Sequence, residues 1–114
     1  MKVKLRLFGI TQKNYFSMKI AFDVDGTILN TNDTPRYSVI GLLLFFFEND
    51  TVGLRHDIIV WSGGGVDYAK RWVERLGLKG KVRVIEKGSE KVDIAVDDAT
   101  SVPKGLNAKV VIRV

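Results

Sequence analysis

Three short stretches of this chain, IAF at 20–22, IIVW at 58–61 and IAV at 94–96, are continuously apolar rather than alternating. A strand with one wet face alternates at period two, whereas a strand covered on both faces does not. Stretches this short predict buried strands rather than buried helices. Between the first two, residues 36–48 predict a helix, with Thr34 as its cap and Pro35 in its first turn. Asn49 and Asp50 mark its exit. Between the second and third, Val66, Ala69, Val73 and Leu76 recur at helical spacing, and Gly77 supplies a stop. Residues 81–86 and 109–114 read as two further strands. Alternation of this kind implies an α/β fold, a three-layer sandwich around a mostly parallel, Rossmann-like sheet.

In such sheets ligands gather beyond the carboxyl ends of the strands. Here those ends carry a marked set of residues. The first strand runs into Asp23 and Asp25, the second into Ser62 and Gly63, Gly64 and Gly65, the 81–86 strand into Lys87, and the 92–96 strand into Asp97 and Asp98. Carboxylates brought together beside apolar surface repel unless something cationic joins them. Three of them at one sheet edge suit a hard, oxygen-ligated cation such as Mg²⁺. A hydroxyl, an amine and the backbone amides of a glycine-rich turn are phosphate-binding groups. Acids, metal and phosphate ligands together point to phosphoryl transfer, in which a carboxylate can serve as nucleophile.

Composition excludes several other classes. The chain has 114 residues, enough for one domain, and no cysteine, so disulfides and thiolate metal sites are ruled out. A reducing, cytoplasmic setting agrees with that. The net charge of +5 is unevenly placed: residues 1–17 hold four bases and no acid, leaving residues 18–114 at +1. That near-neutral body does not indicate a nucleic-acid groove. The most apolar run, VIGLLLFFF at 39–47, is far short of the ~20 residues that span a bilayer. Residues 1–17 are treated as a leader: an extra edge strand, an upstream mis-start before Met18, or a disordered arm. The remaining 18–114 form the domain.

The order DVDGT at 23–27, VWSGGG at 60–65, a lysine, and DIAVDD at 93–98 resembles the haloacid dehalogenase-like superfamily of Mg²⁺-dependent phosphohydrolases. The resemblance covers residues 18–98. It implies that Asp23 is the nucleophile that becomes an aspartyl-phosphate and that Asp25 is the general acid and base. It further implies that Gly26 permits a tight turn and that Gly26 and Thr27 line the phosphate-binding site. Ser62, with Gly63 and Gly64, would hold the phosphoryl oxygens, and Lys87 would neutralise charge. Asp23, Asp97, Asp98 and the backbone carbonyl of Asp25 would hold Mg²⁺. Lys87, which ends its strand, is preferred over Lys91. Asp97 is preferred as the direct ligand, with Asp98 as second ligand or its neighbour.

Neither interval between motifs has room for a cap domain, so the resemblance is to a capless phosphatase. An open site fits a bulky or macromolecular phosphoester, or a lid lent by a second copy in a homo-oligomer. Two other readings remain: a regulatory phosphate-binding protein that keeps the fold without turnover, and a receiver-like phosphoacceptor domain. The glycine run does not fit a dinucleotide fingerprint. His56, Trp61 and Trp72 read as structural.

Overall fold

The computed structural model describes residues 18–48, 56–98 and 106–114. The leader at 1–17 and the helix exit at Asn49 and Asp50 lie outside the described residues. Five strands, β1 (Lys19–Asp23), β2 (Asp57–Trp61), β3 (Arg83–Val84), β4 (Val92–Asp97) and β5 (Ala108–Arg113), alternate at first with two helices, α1 (Tyr37–Glu48) and α2 (Val66–Arg75). Every pairing is parallel, in the order β3-β2-β1-β4-β5. This is an α/β fold with a Rossmann-like sheet.

The strands that read as continuously apolar are the three central ones. Ile20, Phe22, Ile58, Val60 and Val96 point to the face that α1 and α2 cover, where Val39, Ile40, Leu43, Ala69 and Val73 meet them. Ala21, Ile59, Trp61 and Ala95 point to the opposite face and pack with Val92 and Leu106. Both helices serve one face because β1, β2 and β3 step in one direction through crossovers of the same hand. Among the described residues there is thus one helical layer, not the two that a three-layer sandwich requires.

Local chemistry accounts for most of the element ends. Gly77 adopts φ 74°, its amide reaches the Glu74 carbonyl at 3.1 Å, and the Leu78 amide reaches the Val73 carbonyl at 2.9 Å. That double closure is a Schellman motif, and buried Leu78 anchors it. At α1 the expected Thr34 cap is displaced. The helix starts at Tyr37, the Arg36 carbonyl accepts the amides of Val39 and Ile40, and Thr34 instead donates its hydroxyl to Asn32 Oδ1 at 2.6 Å. The turn between β1 and α1 takes up those extra residues through bridges from Leu29 to Asp25 and Pro35. The apolar run in α1 is buried on one side alone, and Phe45 remains 59% exposed. The expected 81–86 strand shrinks to two residues, because β3 is an edge strand paired with β2 at Ile59 and Val60 alone. No helix among the described residues is long and apolar enough to cross a membrane.

The two ends of the sheet treat charge differently. At the amino ends, acids and bases pair across strands. Arg83 bridges Asp57 and Glu90 at 2.7 Å each, Lys19 meets Glu90 at 2.9 Å, and Lys109 meets Asp93 at 3.1 Å. The carboxyl ends are built otherwise.

Candidate functional site

β1 and β4 are neighbours in the sheet although β2 and β3 intervene in the chain. The chain reverses its direction of travel between them, and that switch point is where open parallel sheets leave a crevice. The last residues of these two strands are Asp23 and Asp97. Both are buried, at 7% and 1% exposure, while Asp98, one residue further on, is exposed. Carboxylate oxygens of Asp23, Asp97 and Asp98 lie within 4.8 Å of one another.

Lys87 joins this group from the loop after β3. Its Nζ donates to Asp23 Oδ1 at 3.1 Å and to Asp97 Oδ2 at 3.0 Å. Lys91, the rival lysine, is exposed at the start of β4. Burial pushes the Asp23 carboxyl up from 3.8 to about 6, with Asp97 adding to the rise and Lys87 opposing it. For Lys87 burial disfavours the ammonium, but the bonds to Asp97 and Asp23 prevail and raise it. Among the described residues, Lys87 is the ammonium that meets Asp23 and Asp97, with exposed Asp98 beside them, an excess of acids over bases.

That excess tests the fit of a cation. Octahedral Mg²⁺ with bonds of ~2.1 Å brings its ligand oxygens to about 3 Å or 4 Å of each other. The observed oxygens, within 4.8 Å of one another, lie close to that range. The donor set, all carboxylate oxygen, is the right type. Asp23, Asp97 and Asp98 therefore fit a hard divalent ion.

Gly26 explains how the first acid motif approaches the last. It adopts φ 76°, a conformation that side chains disfavour, and a Cβ there would overlap the Asp98 carboxylate. The Gly26 carbonyl accepts Arg36 Nη1 at 2.8 Å, which fixes the turn. Asp25 departs from the cluster. Its carboxylate is exposed and accepts the Tyr68 hydroxyl at 2.7 Å, so its side chain is not among the grouped acids. Thr27 also differs from expectation. It is fully buried, and its Oγ1 has no protein partner, so its hydroxyl does not face an open binding surface.

Ser62 follows β2 and is 3% exposed; its Oγ accepts the Gly64 amide at 3.0 Å and keeps a proton to donate. The Gly65 amide closes the turn onto the Ser62 carbonyl at 3.1 Å. Gly65, at φ 104°, then opens α2, whose first-turn amides have no intrahelical acceptors. A cavity of about 340 Å³ is lined by Ser62, Gly63, Gly65, Val66, Glu86 and Lys87. Phosphate-type donors from one side and Lys87 from the other thus share one opening.

The structure brings together Asp23, Asp97, Asp98 and Lys87, and places Ser62 and its glycine turn against the same lysine. Three residues at this edge escaped the sequence reading: Arg36, Tyr68 and Glu86. Arg36 and Tyr68 are polar residues inside or beside helices, and Glu86 is one charge among many, so nothing local marks them. Compared with protein-family models, curated proteins and solved structures, the chain matches none.

Proposed function

We propose that this chain is a Mg²⁺-dependent phosphohydrolase of the capless, haloacid dehalogenase-like type, acting on a phosphomonoester through an aspartyl-phosphate on Asp23. The observation that carries this reading is the gathering of Asp23, Asp97 and Asp98 at the β1–β4 switch point, where Lys87 joins the first two. The amino-end charges of the same sheet pair acid with base across strands, whereas the ends of β1 and β4 bring three acids within 4.8 Å of one another. Asp23, Asp97 and Asp98 would hold the ion, which supplies charge neutralisation for the phosphoryl group.

The protein's own residues divide the remaining work. Ser62 and the amides of the glycine turn hold phosphoryl oxygens, and Lys87 offsets the charge on them. The ionised Asp23 carboxylate attacks phosphorus, forming an O–P bond as the bond to the leaving oxygen breaks. Asp25 gives its proton to that leaving oxygen. In the second half Asp25 takes a proton from water as the water oxygen attacks phosphorus. Inorganic phosphate leaves and Asp23 is restored. The short connections at 24–36 and 76–82 hold no cap, which favours a bulky phosphoester.

The test is hydrolysis of p-nitrophenyl phosphate and an alkyl phosphate with Mg²⁺ and with chelator. Turnover should require the ion, should vanish in Asp23→Asn, and should be blocked by beryllium fluoride bound at Asp23. Binding of inorganic phosphate without turnover would replace this reading with that of a phosphate-binding protein. The absence of both turnover and a bound fluoride analogue would overturn it.

A further inference from the structure

Tyr68 is the third residue of α2, and its side chain makes two contacts that together fix it over the site. Its hydroxyl donates to Asp25 Oδ1 at 2.7 Å, across 43 positions of sequence. Its ring lies on the backbone of the glycine turn so closely that a Cβ at Gly64 would be 3.0 Å from Cδ2 and 3.3 Å from Cγ. The same Cβ would lie 3.4 Å from Ser62 Oγ. One aromatic side chain therefore spans from the phosphate-type turn to the exposed acid.

We infer that Tyr68 is a positioning residue for Asp25, tethering that carboxyl away from the grouped acids so that it serves the leaving oxygen. The inference rests on the phosphohydrolase reading and deepens it. Asp25 is exposed and carries its carboxylate on a freely rotating short stem, so without a partner it samples several rotamers. Once a cation sits among Asp23, Asp97 and Asp98, a loose carboxylate two residues away is drawn toward that charge. An acid captured there cannot transfer protons. The Tyr68 hydroxyl opposes the capture by holding Oδ1 while leaving Oδ2 for the proton. The ring supplies the rigidity, because it rests on backbone that cannot yield as a flexible side chain would.

The experiment compares full-length wild type and Tyr68→Phe in single-turnover reactions with Mg²⁺. The substrates are p-nitrophenyl phosphate, whose leaving oxygen needs no proton, and a simple alkyl phosphate, whose leaving oxygen does. Phenylalanine keeps the ring on Gly64, so folding is preserved. Tyr68→Phe should lose about ten-fold more rate on the alkyl phosphate than on the nitrophenyl ester, since acid help matters most for poor leaving groups. Adding Tyr68→Phe to Asp25→Asn should cost nothing further on either substrate. An equal loss on both substrates, no loss at all, or additive effects in the double variant would overturn the role of Tyr68 and leave the phosphohydrolase reading standing. If wild type hydrolyses neither ester and binds no fluoride analogue, both fall together.

Discussion

Replacing Lys87 with methionine keeps the apolar stem and deletes the ammonium that lies 3.1 Å from Asp23 and 3.0 Å from Asp97. The two acid side chains are 10% and 1% exposed, whereas the lysine is 23% exposed. Breaking a fully buried pair from one side costs about 3–5 kcal/mol. The partial exposure of Lys87 reduces this to about 2–3 kcal/mol, or roughly 8–12 °C in melting temperature for a chain of this size. The loss should depend on pH in a defined direction. Asp23 is raised from 3.8 to about 6 by burial, with Lys87 holding it down. A carboxyl raised in the folded state binds protons more tightly there. Its favourable contribution is complete below the unfolded value and is lost as pH climbs through the folded one. Without Lys87 the folded value moves higher still, so the loss extends above pH 6. Thermal unfolding followed by circular dichroism should therefore show the full deficit near pH 8. Near pH 5, where Asp23 is largely protonated in both proteins, the deficit should shrink to the part that comes from Asp97. Saturating Mg²⁺ should close part of the gap at pH 8, because it replaces the missing charge. A deficit that is equal at both pH values, or greater at pH 5, would refute this account of the cluster.

Two further perturbations address the geometry and the ion. Gly26→Ala forces a side chain into a left-handed conformation, at about 1–2 kcal/mol, and drives it into Asp98. Urea unfolding should show a loss of at least that size, and calorimetry a weakened Mg²⁺ site; an unchanged protein would mean that Gly26 and Asp98 do not meet. Asp97→Ala should abolish the Mg²⁺ isotherm, while Arg83→Ala, at the amino edge, should leave it intact. Equal Mg²⁺ affinity in wild type and Asp97→Ala would remove the metal site.

The α/β class, the parallel sheet and the three central strands were legible because burial on both faces leaves a direct mark: consecutive apolar residues bounded by polar ones. Gly77 was legible for the same local reason, since a left-handed helix end selects glycine wherever it occurs. The acids at 23, 97 and 98 could be listed from sequence, but their meeting depends on β4 returning to pair with β1, a choice of topology that no local pattern encodes. Lys87 over Lys91 is likewise a matter of which amine reaches both acids. Thr34 was misread because capping chemistry is shared with tight turns, and Asn32 competes for its hydroxyl. Tyr68 shows the limit most plainly. Its helical position is readable, but its hydroxyl meets Asp25 only because α2 packs on the sheet beside the turn that follows β1, and that is decided by packing of the whole sheet.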